Sequence, residues 1–211
     1  MQYNDELIDL EGDRLTVART VSRLTPAPLI NLYVGIIIAL TSPIGLGPIL
    51  GYVEVILICI MFMVILPVVP IILAAWKGSV DLDVSERANR PKFFLNAILW
   101  YMLAYIIYGL LQCDVMRVLS AAYITVTTGV LIANQVSKVS VHGAGVGGPG
   151  TALIFIYGIL ALPVVLLWIG VVWSRTYLKQ HTLIQSIMGV TMGVLITIAT
   201  YTILYVPIVY L

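Results

Sequence analysis

The chain runs to 211 residues, 61% of them hydrophobic and only 10% charged, with a mean hydropathy of +1.06. A soluble domain carries about 25% charged residues, so a water-facing globule is excluded, and the length suits roughly one domain. The net charge of +1 excludes the basic field of a nucleic-acid-binding protein. What remains is an all-α bundle of membrane helices, because lipid tolerates only segments that satisfy their own backbone. Cys59, inside an apolar run, and Cys113, in a short polar break, read as packing residues rather than as a disulfide or metal site.

Residues 1–27 form the one extended polar stretch, and its acidic start, Met1 to Asp13, is unlike a signal peptide. Leu10, Val17, Val21 and Leu24 recur at helical spacing among Asp13, Arg14, Arg19 and Arg23. That pattern predicts an amphipathic helix on the membrane surface. Residues 28–211 form the transmembrane domain. Its apolar runs are Pro28–Ile44, Leu50–Ala75, Phe93–Leu111, Val118–Ala133, Ala152–Val172 and Leu183–Leu211. A span needs roughly 20 residues, so the count is six. It becomes seven if Gly143–Trp173 folds as a hairpin with its turn near Gly158 and Ala161-Leu162-Pro163. Each arm would then hold about 15 residues and rise about 22 Å.

Smaller signals fill in the bundle. Gly189 and Gly193 form a G-x-x-x-G, which predicts close helix packing. Tyr201, Tyr205 and Tyr210 suit the headgroup zone at the far end of the last helix. Glu54, near an interface, is expected to reach water.

The polar breaks hold the reactive side chains. In the first, Asp83, Arg87 and Arg90 stand at i, i+4 and i+7. On a helix they would share a face, Asp83 could pair with Arg87, and Arg90 would be left for an anion. In the second, Lys138, Ser140 and His142 precede the glycine-rich run from Gly143 to Gly148. A helix N-terminus offers unpaired amides, and glycines let the backbone approach an anion. In the third, Ser174 and Arg175 precede His181, with Gln185 one helical turn further on, where its amide can orient the imidazole. The three breaks meet only if an even number of spans separates each pair, and this parity favours the hairpin.

Those residues resemble the type 2 phosphatidic acid phosphatase superfamily, whose signatures read K-x6-R-P, P-S-G-H and S-R-x5-H-x3-D. Arg90-Pro91 matches the end of the first, Ser140 and His142 two positions of the second, and Ser174-Arg175 with His181 the third. Asp83 stands where the family has a lysine, Val139 and Val141 replace the proline and glycine of the second signature, and Gln185 replaces its last aspartate. The resemblance spans roughly Asp81 to Gly189. It implies an integral membrane phosphatase without cofactor or metal, acting on a lipid phosphate or an isoprenoid diphosphate. His181 would be the nucleophile and His142 the acid and base, with Gln185 beside the nucleophile. Arg87, Arg90, Lys138, Ser140, Gly143, Ser174 and Arg175 would hold phosphate. Asp81 or Asp83 could supply the carboxylate that Gln185 lacks.

Two other readings stay open. One is a catalytically weak or inactive lipid-phosphate-binding protein, for which Gln185 and Asp83 speak. The other is an intramembrane prenyltransferase, but after Glu86 the only acid is Asp114, which falls on the wrong face for a second aspartate-rich loop. With the three breaks on one face, ten of the eleven Lys and Arg residues lie there and only Arg117 opposite. By the positive-inside bias that face would be cytoplasmic.

Overall fold

The computed structural model describes residues 12–206 and 208, and among them the regular structure is all helical, with no strand. Leu10 and Tyr210 lie outside the described residues. The helices are α1 (Asp13–Leu24), α2 (Ala27–Thr41), α3 (Tyr52–Trp76), α4 (Arg90–Leu110), α5 (Asp114–Val136), α6 (Val141–Tyr157), α7 (Val164–Tyr177) and α8 (Leu183–Leu204). Five segments are long and apolar enough to cross a membrane: α3, Arg87–Leu110, α5, Val141–Ala161 and α8. Helices α2 and α7 are shorter. The chain is therefore a multi-pass membrane helix bundle.

The stretch Gly143–Trp173 is the predicted hairpin. Gly158 takes a positive φ of 61°, a 3-10 turn follows to Ala161, and Pro163 starts α7. Helix α7 then runs back along α6, where the Trp168 indole N–H donates to the Val146 carbonyl at 2.9 Å.

Helix α3 carries a π turn over Ile60–Ile65, followed by Pro67 and Pro70. Each proline lacks the N–H that would bond four residues back. The two carbonyls so freed belong to Met63 and Leu66. Asn31 of α2 donates to Met63 at 3.0 Å, and Asn96 of α4 donates to Leu66 at 3.4 Å. At membrane depth an unpaired carbonyl is costly, so these asparagines make the irregular helix tolerable.

The closest helix pair is α6 against α8. Gly143 and Gly147 of α6 face Gly189, Val190 and Gly193 of α8. A Cβ on Gly193 would sit 2.7 Å from the Ala144 carbonyl oxygen, and one on Gly147 would sit 2.5 Å from that of Val190. The G-x-x-x-G thus packs inside the bundle. Gly193→Leu should cost about 3 kcal/mol, the upper end of overpacking. Thermal unfolding in detergent should show a midpoint lowered by roughly 6–12 °C.

One surface expectation changes. Tyr201 and Tyr205 are buried in the core beside Phe155, not placed in a headgroup zone, because α8 keeps its packed face as far as residue 205. The N-terminal amphipathic segment is helical as expected: it packs Leu15, Ala18 and Ser22 against the bundle and leaves Val17 and Leu24 exposed on its outer face. Helix α1 turns by 63° from α2 at Thr25-Pro26 and lies on the end of α7. Glu54 is exposed, and both cysteines are buried and unpaired.

Candidate functional site: a buried cation and histidine cluster

One end of the bundle gathers the three polar breaks. The first meets the third where Arg175 Nη2 pairs with Asp83 Oδ2 at 3.2 Å. The first meets the second where Arg90 Nη1 donates to the Val139 carbonyl at 3.0 Å. The second meets the third where the Ser140 amide donates to the Gln185 carbonyl at 3.3 Å. The N-termini of α4, α6 and α8 and the C-termini of α5 and α7 meet here, so helix dipole ends of both signs border the side-chain cations.

Arg175 is 3% exposed and Arg90 4%, so both guanidinium groups are out of water. Arg175 Nη1 donates to the Ser22 hydroxyl of α1 at 2.7 Å, and its Nε has no partner. Arg90 Nε donates to the Val84 carbonyl at 2.8 Å. The backbone at Val84 takes a positive φ of 44°, which bends the loop around the Arg90 side chain. Lys138 is half-buried beside them; burial, then the fields of Arg90 and Arg175, lower its pKa. Burial works against the charge on Asp81, but the Ser85 amide and hydroxyl, each at 2.8 Å, outweigh it and hold the carboxyl below its ordinary range.

Both histidines lie within this field. His142 is 8% exposed; one ring nitrogen meets the Ser22 backbone carbonyl, and Nε2 is buried without a partner. His181 is 7% exposed, and its Nδ1 is likewise buried and unpartnered. Burial, then Arg175, Arg90 and Lys138, push the His181 pKa down to about 3, against an upward pull from Gln185. The His181 ring is therefore neutral at pH 7. Three cations face two carboxylates here, and one of those, Asp81, is taken up by Ser85. Buried charge of this kind calls for a compensating anion.

Several expected roles change. Asp83 does not share a helix face with Arg87, because residues 80–86 form a loop and α4 begins only at Arg90; Asp83 pairs with Arg175 instead. Arg87 is exposed and donates to the Val136 carbonyl at 2.8 Å, so it caps the end of α5 and stays outside the cluster. Ser174 is fully buried and donates to the Ala18 carbonyl at 2.7 Å, tying α1 to α7 rather than meeting an anion. Ser140 caps α6 by accepting from the Gly143 amide at 3.2 Å, so those two groups satisfy each other. The glycines after His142 serve helix approach, as the contacts of Gly143 and Gly147 show. Gln185 borders His181, but its Oε1 also accepts from the Thr182 amide at 3.2 Å in a capping box.

The cluster is thus Arg90, Lys138, His142, Arg175, His181 and Gln185, closed over by Ser22 and Asp83. Ser22 was not among the expected site residues. Its signal is Ala18 and Ser22 at i, i+4, a small-residue face suited to close approach. Among the described residues no group of three or more His, Cys, Asp or Glu is placed to hold a metal ion. No protein-family model matches the chain, and neither does any curated protein or solved structure.

Proposed function

We propose that the chain is a metal-independent phosphatase of a lipid phosphate or isoprenoid diphosphate, acting through a phosphohistidine on His181. The observation that carries this reading is the convergence of two buried imidazoles, each with an unpartnered nitrogen, on Arg90, Arg175 and Lys138. A neutral ring is a nucleophile as it stands. The His181 lone pair would attack phosphorus, and the phosphorus–oxygen bond to the lipid would break. The guanidinium groups would balance charge on the equatorial oxygens. The Ser22 carbonyl holds the His142 ring nitrogen opposite Nε2, which fixes the tautomer. In that tautomer His142 Nε2 carries the lone pair, so it would first take the proton of a monoprotonated phosphate group, pass it to the leaving oxygen as the phosphorus–oxygen bond breaks, and then take one from the water that cleaves the phosphohistidine.

The test is phosphate release from a panel of lipid phosphates and isoprenoid diphosphates, with EDTA present. Release that resists EDTA supports the reading. Release from no member of the panel, by protein shown to be folded, would sink it.

A second reading, a lipid-phosphate-binding protein with weak or no turnover, has one observation in its favour. Gln185 shares its oxygen with Thr182 and brings no charge to a phosphorylated, cationic ring. Gln185→Glu keeps the capping box and adds that charge. Phosphoenzyme formation should rise about tenfold, the gain of a charged over a neutral hydrogen bond. An unchanged rate in rapid-quench experiments would favour the binding protein.

We also place the cluster on the cytoplasmic side, because Arg14, Arg19 and Arg23 precede the first span at this end independently of the cluster. Labelling of Glu86→Cys from outside intact cells by a membrane-impermeant thiol reagent would refute that placement.

A further inference from the structure

The four side chains at the heart of the cluster are shut in. Arg90, His142, Arg175 and His181 are each more than nine-tenths buried. A phosphate group reaches them only if part of their cover moves. Helix α1 is a cover that touches both kinds of group. The Ser22 hydroxyl accepts from Arg175 Nη1 at 2.7 Å, and the Ser22 carbonyl meets the His142 ring.

Pro26 makes that carbonyl available. In a continuing helix the Ser22 oxygen would accept from the amide four residues on, but that residue is Pro26, which has no N–H. The same proline caps the start of α2, at the 63° bend that separates it from α1. A single joint at Thr25-Pro26 therefore links this cover to the bundle. The underside of α1 is lightly held. Leu15 and Ala18 pack on Leu178 and the half-buried Tyr177, in a small cluster apart from the main core, which the half-buried Val21 borders. One hydrogen bond, from the Ser174 hydroxyl to the Ala18 carbonyl at 2.7 Å, adds to the Ser22 contacts. Arg14, Val17, Arg23 and Leu24 face outward. An element with so few buried side chains belongs to the least stable part of a fold. The other walls are fixed more firmly. Helices α6 and α8 meet glycine against backbone, and the loop at 80–86 is tied by Asp81 to Ser85 and by Val84 to Arg90.

We infer that α1 is a lid, which swings about Thr25-Pro26 to admit a phosphate group and closes over it with Ser22 again on Arg175 and His142. The inference rests on the phosphatase reading and adds how that site is reached. Opening gives the two Ser22 oxygens to water in place of Arg175 and His142. Closing shuts water out and restores the contact that sets the His142 tautomer, so entry needs the open state and chemistry the closed one.

The chain has two histidines, and both lie in the cluster. Diethyl pyrocarbonate, which acylates neutral imidazole, therefore reads the lid directly. In Ala18→Cys/Ser174→Cys protein a disulfide takes the place of the hydrogen bond between those residues and pins α1 to α7. Oxidation should lower the acylation rate of His142 and His181 at least tenfold, and a reductant should restore it. Neither single-cysteine variant should respond. Ala18→Leu wedges the packed face and should act in the opposite sense, raising the rate roughly tenfold, the low end of overpacking. Hydrolysis of p-nitrophenyl phosphate should fall on oxidation in step with acylation. Acylation at an undiminished rate with α1 pinned, or hydrolysis that persists there, overturns the lid. So does an acylation rate in Ala18→Leu no higher than in the unaltered protein. Because acylation needs no turnover, it separates failure of the lid from failure of the phosphatase reading.

Discussion

His181→Ala is expected to lower phosphate release by about 10⁴-fold or more, the scale on which loss of a nucleophile removes covalent catalysis. His142→Ala is expected to lower it by about 10²–10⁴-fold, the scale of general acid–base catalysis. The two losses should differ in kind. An aryl phosphate with a good leaving group, such as p-nitrophenyl phosphate, needs no proton on departure. With that substrate His142→Ala should still form the phosphohistidine, but it lacks the base that activates water. The variant should therefore accumulate an acid-labile, alkali-stable phosphoprotein, trapped by rapid quench, whereas His181→Ala should form none. Phosphoprotein in His181→Ala would move the nucleophile elsewhere and overturn the assignment. Truncating either ring opens a small cavity but removes no ion pair, since neither histidine carries one among the described residues. The folded state should survive both changes.

The bundle was legible in the sequence because lipid simplifies the code. The long apolar runs correspond to helices, and the hairpin followed from turn chemistry at Gly158 and Pro163 together with the parity of the spans. The meeting of the three polar breaks was the premise that favoured the hairpin, and the contacts Asp83–Arg175, Arg90–Val139 and Ser140–Gln185 show them together. What each polar side chain bonds to was less legible. Spacing places Asp83, Arg87 and Arg90 on one face only if the segment is helical, and the loop around Val84 breaks that premise. The glycine run after His142 fits an anion cradle and a helix-packing stripe equally well by composition. Gly189 and Gly193, some fifty residues away, are what settle it, and no local pattern joins the two stripes. Ser174 and Ser140 illustrate a related difficulty. In a site with little water a hydroxyl goes to the nearest backbone group, and here those are the Ala18 carbonyl and the Gly143 amide. The tyrosines of α8 were misplaced because an aromatic near a helix end reads as interfacial, yet Tyr201 and Tyr205 fill the space beside Phe155.

Asp83→Asn is expected to weaken the empty protein and to strengthen its hold on phosphate. Asp83 is the carboxylate that pairs with Arg175 at 3.2 Å, where the two side chains are 14% and 3% exposed. Without it, Arg90, Arg175 and Lys138 face only Asp81, whose carboxylate already accepts from Ser85. Breaking a buried pair by removing one partner costs about 3 kcal/mol at the lower end of its range. The thermal midpoint in phosphate-free detergent should fall by roughly 6–12 °C. A bound anion would restore the balance, so saturating phosphate should recover most of that loss by mass action. The same vacancy frees Arg175 Nη2 for the ligand, and the inhibition constant of inorganic phosphate should drop about tenfold, the equivalent of one charge-assisted hydrogen bond. The opposite pattern has a distinct meaning. If Asp83 served His181 as the carboxylate that Gln185 is not, the substitution would lower kcat and leave phosphate affinity unchanged. A tighter inhibition constant therefore identifies Asp83 as an internal stand-in for the substrate anion, while a fall in kcat alone identifies it as part of the catalytic machinery.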